Sequence, residues 1–323
     1  MELLDESTIA AWRENYAKRL FLDKLENCEY FPKYIHIETV DGCNSKCLMC
    51  PRSLDNKKKF EYMDDQTFNK IVSELSLYSD WIEMIILTGN GEPLLDVKLA
   101  ERVKKLKSAG MKRVQFSTNA SLLTEARIME LVDSGIDDLR VSLDGFTKET
   151  YEKIRRGLNY DIVKKNVLKL IEIREKMDWN VEFRFRMVEL EENKTEREEW
   201  QAYWKSMLKN TDKVQFIPAD PWGEYGMEEK ERNIILLEKL PCISVFSSCS
   251  IGHDGRIRLC CYDMGQKCVL GTVEGDKANL IKEIWRGAEF RNIRNLHADG
   301  LRNQIEICRG CSGWSRDVKE DYE

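Results

Sequence analysis

Three cysteines in one short stretch constrain this chain more than any other feature. Cys43, Cys47 and Cys50 follow a strand candidate over residues 34–40 and are separated by three and two residues. Thiolates at this spacing fit three irons of one [4Fe-4S] cubane and leave the fourth iron for an outside ligand, such as an amine with a carboxylate. A zinc knuckle would need a fourth protein ligand nearby, and neither cysteine nor histidine follows within residues 51–60. The stretch therefore predicts a cluster with one open iron that can react, rather than a cluster with four protein ligands that only transfers electrons.

Short polar segments close the next predicted strands. They read Thr88-Gly89-Asn90-Gly91-Glu92-Pro93, then Ser117-Thr118-Asn119, then Ser142-Leu143-Asp144-Gly145. With the cysteines, these segments resemble the radical SAM superfamily, which carries CxxxCxxC after the first barrel strand and a GGEP element after the second. Asn90 is an inserted or substituted letter in that element. Met49 stands where the family usually has an aromatic residue beside the adenine of S-adenosylmethionine (SAM).

The resemblance assigns roles to these residues. It implies that Cys43, Cys47 and Cys50 bind the cluster. The SAM contacts that it implies are Met49, Gly89, Gly91, Glu92, Pro93, Ser117, Asn119, Ser142 and Asp144. It also implies the opening chemistry, in which the reduced cluster cleaves SAM to methionine and a 5'-deoxyadenosyl radical that takes a hydrogen atom from the substrate. A flavodoxin- or ferredoxin-type protein is the expected electron donor.

Strand and helix patterns alternate along the chain after an N-terminal helix. That helix is predicted over residues 7–26, with Ile9, Trp12, Tyr16, Leu20 and Phe21 on one side. Strands are predicted over residues 34–40, 84–88, 113–118, 138–143, 181–188 and 213–217, and helices over 65–77, 97–109, 124–134, 147–156, 161–177 and 195–208. Repeated strand–helix units require a parallel sheet with right-handed crossovers. The predicted fold is α/β, a partial (β/α)6 TIM-like barrel as in radical SAM enzymes, with a small C-terminal α+β domain.

Several predicted strands alternate between apolar and polar residues. Over residues 181–188 the apolar side chains would face the helices, and Glu182, Arg184 and Arg186 would face the lumen. A polar, charged lumen fits the zwitterionic methionyl group of SAM and a polar substrate, whereas a lipid would need an apolar one. The alternative is that Arg140, Arg184 and Arg186 only neutralise Glu38, Asp144 and Glu182 across neighbouring strands.

Seven cysteines follow Pro241: Cys242, Cys249, Cys260, Cys261, Cys268, Cys308 and Cys311. Asp254-Gly255 predicts a β-hairpin turn, and a helix is predicted over residues 279–296. The arrangement resembles the SPASM/twitch extension of radical SAM enzymes, which implies an auxiliary [4Fe-4S] cluster on Cys242, Cys260, Cys308 and Cys311. Cys260 matches the family's GxxxxC spacing better than Cys261 does. Because the chain ends soon after Cys311, one auxiliary cluster is expected. The residues alone leave a four-cysteine zinc site open.

Four segments are predicted: an N-terminal helical cap over 1–33, the barrel over 34–220, a linker loop over 221–240 and the auxiliary-cluster domain over 241–323. Near the linker, Trp222 or Tyr225 could stack on a sugar or a peptide side chain, and Asp220 or Glu224 could bind hydroxyl groups or take a proton. The net charge of −6 gives no basic field for nucleic acid. An acidic N-terminus, no apolar run of membrane-spanning length and cysteines suited to metal binding predict a cytoplasmic protein.

The predicted function is that of a radical SAM oxidoreductase acting on a polar small molecule of sugar or aminocyclitol type, including phosphorylated or nucleotide-linked forms. Oxidation of a secondary alcohol, with the auxiliary cluster as electron acceptor, is expected first. Epimerisation would need a hydrogen-atom donor, for which Cys249 is the first candidate. Modification of a ribosomal peptide is a third class, which the short N-terminal helix disfavours because it cannot form a leader-binding module. An iron–sulfur electron carrier would leave the GGEP-like turn unexplained.

Overall fold

The computed structural model describes residues 6–54, 59–219, 240–275, 278–311 and 313. The α-helices in these ranges are α1 (Glu6–Arg19), α2 (Asp65–Ser76), α3 (Leu99–Ser108), α4 (Glu125–Val132), α5 (Lys148–Ile154), α6 (Tyr160–Lys176), α7 (Arg197–Lys205), α8 (Ser244–Ser247), α9 (Leu280–Trp285) and α10 (Ala288–Ala298). The strands are β1 (Tyr34–Ile37), β2 (Val40–Asp41), β3 (Glu61–Tyr62), β4 (Met84–Ile86), β5 (Val114–Thr118), β6 (Asp138–Ser142), β7 (Glu182–Glu189), β8 (Lys213–Pro218), β9 (Ser248–Ile251), β10 (Arg256–Arg258) and β11 (Val269–Thr272). The predicted order of six strands and their helices, that of a partial (β/α)6 barrel, is confirmed.

The chain divides into two compact units. The barrel unit comprises residues 37–64 and 84–219, and the auxiliary unit comprises the described parts of residues 6–36, 65–83 and 240–313. The domain boundaries given above remain predictions. Asp220, Trp222, Glu224 and Tyr225, which the sequence offers as substrate-binding groups, lie outside the described residues.

In the barrel unit, β4 to β8 lie side by side in chain order, and each neighbouring pair is parallel. Their apolar side chains pack under the helices: Phe185 is fully buried, and its ring centroid lies 5.2 Å from that of Trp204 on α7. The predicted helix stops at Gly110, Gly135 and Gly157 are confirmed, because all three adopt the positive φ that favours glycine after a helix. The carboxyl ends of the strands therefore share one edge, where barrel enzymes carry their chemistry.

The N-terminal helix is shorter than predicted. α1 ends at Arg19, and Phe21 has a φ of 53° and is 75% exposed, so its predicted place on the apolar side is wrong. Trp12 and Tyr16 are buried as expected. The Tyr16 hydroxyl donates to Pro241 O at 2.6 Å, which ties α1 to the C-terminal part of the auxiliary unit.

The auxiliary unit contains an antiparallel ribbon in which β10 pairs with β9 and with β11. The predicted turn at Asp254-Gly255 is confirmed, and Gly255 has a φ of 76°. The helix predicted over residues 279–296 is instead two helices, α9 and α10, because Gly287 has an extended backbone between them. Glu74 of α2 caps α9 by accepting hydrogen bonds from Ile281 N at 2.9 Å and Lys282 N at 2.8 Å. Within the described ranges, no helix is long and apolar enough to cross a membrane.

Candidate active site

The three cysteines lie in one loop of the barrel unit, just after β2. Backbone hydrogen bonds fasten this loop to the residues at the end of α5: Lys46 N donates to Arg156 O at 2.9 Å, and Leu48 N donates to Ile154 O at 2.8 Å. Cys47 is only 6% exposed. The polypeptide itself therefore holds the thiols in place.

The electrostatics of the thiols fit a metal cluster. Burial raises the pKa of Cys43 to about 11, and Glu92, Cys47 and Cys50 add negative charge that acts in the same direction. Burial also raises the pKa of Cys50, and Cys47 contributes to that rise. The negative charge of Cys47 thus acts on the pKa values of both Cys43 and Cys50, so the three can serve one group. Because a metal ligand is a thiolate, binding of iron would displace their protons.

Glu92 joins the GGEP-like turn to β5. Its carboxylate is 3% exposed and accepts hydrogen bonds from Thr118 Oγ1 at 2.6 Å, Asn119 N at 2.8 Å and Leu94 N at 3.2 Å. Burial raises its pKa, and these donors oppose the rise. The backbone N of Glu92 donates to Gly42 O at 2.8 Å. Glu92 therefore connects the turn, the cysteine loop and the end of β5, and both of its oxygens accept from protein donors.

Two glycines of the same turn have no room for a side chain. A Cβ at Gly91 would meet Gly42 O and would lie 2.6 Å from Val40 O, and both of these are backbone atoms. A Cβ at Gly89 would lie 2.5 Å from Glu38 Oε1. The turn is thus pressed directly against the cysteine loop and β2, which only glycine permits.

The side chain of Asn119 is engaged within the protein. Its Nδ2 donates to Asn44 Oδ1 at 2.9 Å, and its Oδ1 accepts from Ser121 N at 3.0 Å and from Ser121 Oγ at 2.6 Å. Asn44 Nδ2 donates in turn to Ser121 Oγ at 2.8 Å. This network ties the cysteine loop to the end of β5, and a direct contact of Asn119 with SAM remains a prediction.

The other residues that the sequence assigns to SAM lie at the ends of neighbouring strands or in the loop. Ser117 is near the end of β5, Ser142 is the last residue of β6, and Pro93 begins the 3-10 turn after β4. Met49 is half-buried in the cysteine loop. Since the ends of these strands share one edge, the residues belong to the region of the three cysteines, and their individual contacts with SAM remain predictions.

Asp144 and Arg155 form a pair that the sequence did not indicate. The carboxylate of Asp144 is fully buried; it accepts from Val188 N at 2.7 Å and pairs with Arg155 Nε. Arg155 Nη1 lies 3.4 Å from Cys47 Sγ. The alternative in which strand arginines neutralise these carboxylates is wrong for Asp144, whose partner comes from the end of α5. Glu182 does pair with Arg184, which lies on its own strand. Both Asp144 oxygens are engaged in the protein, so its contact with SAM also remains a prediction.

Polar side chains on one face of β5 to β8 form three tiers that follow from the strand register. The lowest tier contains Gln115, Asp138 and Glu182, the middle tier Ser117, Arg140 and Arg184, and the upper tier Ser142, Arg186 and Gln215. Ion pairs close the lower tiers: Arg184 Nε lies 2.8 Å from Glu182 and 3.1 Å from Asp138, and Arg113 Nη2 lies 3.0 Å from Asp138. In the upper tier, Arg186 Nε donates to the neutral Gln215 Oε1 at 3.3 Å. The alternation predicted for β7 is confirmed.

The predicted ligands of the auxiliary cluster come together in the auxiliary unit. Burial raises the pKa of Cys260 well above its usual value, and Cys261, Cys308, Cys311 and Cys242 add to the rise. The pKa of Cys308 is also raised, first by burial and then by Cys242 and Cys311. The four predicted thiols can therefore serve one group. Cys261 lies beside them, so the choice of Cys260 over Cys261 remains a prediction.

His297 supports this second cysteine group, although no motif in the sequence pointed to it. It is fully buried, and its Nδ1 accepts from Cys242 N at 3.1 Å. Burial lowers its pKa to about 3, and the positive charge of Arg302 acts in the same direction. A neutral histidine thus orients the backbone of a predicted ligand.

Cys249 lies in β9, inside the auxiliary unit. Its side chain is 1% exposed, and burial raises its pKa to about 12, with Glu74 adding to the rise and Arg294 opposing it. These neighbours place the thiol among α2 and α10. Its role as a hydrogen-atom donor remains a prediction.

Comparisons with known proteins agree with this architecture. Residues 37–181 match the family model of the Radical SAM superfamily, and residues 242–312 match SPASM, an iron–sulfur cluster-binding domain. A probable GTP 3',8-cyclase of Methanococcus maripaludis is 35% identical over 131 residues, which are 41% of this chain and 43% of that protein. The chain thus matches less than half the length of this curated relative.

Two solved structures share the fold. The crystal structure of BtrN in complex with AdoMet and 2-DOIA has a TM-score of 0.56 and 21% identity, and the match covers 88% of this chain and 94% of BtrN. Native anSMEcpe with bound AdoMet has a TM-score of 0.63 and 18% identity, with 89% and 91% covered. Proteins built from these two domains use SAM and [4Fe-4S] clusters, one of which the SPASM domain binds. The chain therefore combines a radical SAM domain over residues 37–181 with a C-terminal SPASM domain over residues 242–312.

Proposed function

We propose that this enzyme oxidises a secondary alcohol of a polar small molecule, of sugar or aminocyclitol type, to a ketone. The observation that carries the proposal is the tiered polar face of β5 to β8. Its upper tier offers Ser142, Arg186 and Gln215 at the edge where the cysteine loop lies. Hydroxyl, amide and guanidinium groups of this kind bind hydroxyl or phosphate groups of a ligand, and they do not suit an apolar substrate.

The lower tiers support the same proposal. Arg113, Arg184, Asp138 and Glu182 form ion pairs with one another, so their charges are balanced within the protein. The Gln115 Oε1 atom is buried and has no hydrogen-bond partner among the described residues. An unpaired buried acceptor costs free energy unless a donor reaches it, and a substrate hydroxyl would be a suitable donor.

The residues divide the work between two clusters. The first cluster would be held by Cys43, Cys47 and Cys50. The second would be held by Cys242, Cys260, Cys308 and Cys311. When bound, the first cluster supplies the electron that cleaves SAM to a 5'-deoxyadenosyl radical, and the second accepts the electron that the oxidised substrate gives up. The polar tiers would bind and orient the substrate so that one C–H bond faces the reacting carbon. A flavodoxin- or ferredoxin-type protein would supply electrons from outside.

Two other reactions are less well supported. Epimerisation would require Cys249 to donate a hydrogen atom, but its burial among α2 and α10 favours a core role. Ring formation on a nucleotide is suggested only by the name of the relative from Methanococcus maripaludis, whose match covers less than half of each chain. The structural match to BtrN covers 88% of this chain and 94% of BtrN, whose structure contains 2-DOIA with AdoMet.

The first test is iron and sulfide analysis with EPR of the anaerobically reconstituted protein, with and without SAM. About eight irons are expected in the wild type, and about four in a Cys43→Ala/Cys47→Ala/Cys50→Ala variant that loses the SAM-sensitive signal. No iron and no SAM response in the wild type would overturn the cluster assignments.

The reaction type is tested with substrates. The reduced enzyme is incubated with SAM and one candidate substrate in each reaction. The candidates are 2-DOIA, related aminocyclitols, sugar phosphates and GTP. Dehydrogenation gives 5'-deoxyadenosine and a product that is two hydrogen atoms lighter. A product of unchanged mass that gains deuterium from D2O would replace oxidation by epimerisation, and a cyclised GTP product would replace it by ring formation.

A further inference from the structure

The guanidinium of Arg155 contacts the sulfur of Cys47, one of the three predicted ligands of the SAM-binding cluster. Its Nη1 atom donates toward Cys47 Sγ at 3.4 Å, within hydrogen-bonding reach of sulfur. Its side chain is 12% exposed, and nearby Asp144 and Cys47 help to raise its pKa against the opposing effect of burial. A fully charged guanidinium therefore lies against the sulfur in a setting from which most water is excluded.

Asp144 fixes the direction of this guanidinium. It pairs with Arg155 Nε, and its other oxygen accepts from Val188 N at 2.7 Å, so it is itself anchored to β7. The backbone on either side of Arg155 is also fixed, because Ile154 O and Arg156 O accept hydrogen bonds from the cysteine loop. Arg155 is thus held in position at both ends of its side chain.

The adjacent residue gives an internal comparison. Arg156 carries the same charge and stands one position further along the chain, but its side chain is exposed. Among the described residues, Ser45 Oγ also lies near Cys47 Sγ, at 3.1 Å, and this hydroxyl donates to Arg156 O at 3.0 Å. Arg155 therefore contributes the only positive charge among these contacts of Cys47.

We propose that Arg155, held by Asp144, is a positioning residue that raises the reduction potential of the cluster on Cys43, Cys47 and Cys50 through its hydrogen bond to Cys47 Sγ. Reduction adds one negative charge to a cluster. A charged donor at a ligand sulfur stabilises the reduced form more than the oxidised form, and hydrogen bonds to sulfur are among the main determinants of cluster potential. The inference rests on the proposed function only in requiring that the cluster is bound.

The test is an EPR-monitored redox titration of the reconstituted full-length enzyme without substrate. Arg155→Gln is expected to keep its iron and shift the midpoint potential of the SAM-binding cluster to a lower value. Arg155→Lys should give a smaller shift, since it keeps the charge but loses the planar fork. Asp144→Asn should shift the potential in the same direction but by less than Arg155→Gln, because it releases the guanidinium and also removes a negative charge from beside the cluster. Arg156→Gln is the matched control and should titrate like the wild type.

Each result bears on the proposal. Unchanged potentials in Arg155→Gln and Asp144→Asn, with full iron content, would overturn it. If Arg155→Gln fails to hold iron, Arg155→Lys and Asp144→Asn test the proposal instead. Wild-type potentials in both of these variants would overturn the proposal. An equal shift in Arg156→Gln would show a general charge effect and would also overturn it. A wild-type protein that binds the cluster but oxidises no alcohol would contradict the proposed reaction and leave this titration valid.

Discussion

Replacement of Glu92 by glutamine tests how the GGEP-like turn is held. The carboxylate accepts from Leu94 N and Thr118 Oγ1 on one oxygen and from Asn119 N on the other. Glutamine has one oxygen and one NH2 group. Whichever way the amide turns, its NH2 group must face a backbone N–H, either that of Leu94 or that of Asn119.

The cost follows from these contacts. A buried backbone donor without an acceptor costs about 1–3 kcal/mol. Because burial raises the pKa of Glu92, loss of the charge returns part of its desolvation penalty, and a net loss of about 1–2 kcal/mol is expected. This corresponds to a fall in Tm of roughly 1.5–3 °C for a chain of 323 residues. The strained turn should also lower SAM affinity by about tenfold, which is equivalent to 1.4 kcal/mol.

The assay compares Glu92→Gln with Glu74→Gln by thermal melts and by calorimetric SAM binding to the reconstituted protein. Glu74 is a matched control, since it is also buried and also accepts from two backbone N–H groups, at Ile281 and Lys282. Both variants should lose similar stability, and only Glu92→Gln should lose SAM affinity. Wild-type stability in Glu92→Gln would refute the hydrogen-bond argument. Equal SAM affinity in the two variants would refute the coupling of this turn to SAM.

Three further predictions concern single positions. Gly91→Ala should weaken SAM binding by more than about tenfold in calorimetry, because its Cβ would press on Gly42 O; unchanged affinity would show that the turn can shift without cost. Cys260→Ser should lower the iron content from about eight to about four and keep the SAM-sensitive EPR signal, whereas full iron content would transfer the ligand role to a neighbouring thiol. Burial alone would raise the pKa of Glu182, but Arg113 and other donors outweigh it and lower the pKa. The stability that Glu182 contributes is therefore present above its unfolded pKa of about 4.3 and lost as the pH falls through the folded value. Melts from pH 6 to pH 3 should show a smaller acid-induced loss in Glu182→Gln than in the wild type, and equal losses would contradict this assignment.

The barrel and its cysteine loop could be predicted because they are encoded locally. Alternating apolar residues set β7, helix-ending glycines set the lengths of α3 to α5, and the spacing of Cys43, Cys47 and Cys50 fits a cubane without knowledge of any distant contact. The three tiers of polar side chains also follow from strand periodicity, once the register is known.

The remaining features depend on contacts between residues far apart in the chain. Arg155 reaches Cys47 across 108 positions because the end of α5 lies against the cysteine loop, and no local pattern encodes that approach. His297 supports Cys242 across 55 positions for the same reason. Apolar periodicity also placed Phe21 in the N-terminal helix, whereas this residue lies beyond the end of α1 and is exposed.

The hydrogen bonds between the cysteine loop and the rest of the barrel unit have a consequence for cluster assembly. Lys46 N, Leu48 N and Glu92 N each bond to a backbone carbonyl, so main-chain atoms shape the loop. Small zinc domains fold only when the metal arrives, and chelators unfold them. Here, backbone hydrogen bonds join the loop that carries the ligands to the rest of the barrel unit. Chelation should therefore remove the cluster and leave a folded apoprotein. Reconstitution should then load a new cluster into this apoprotein without refolding of the chain.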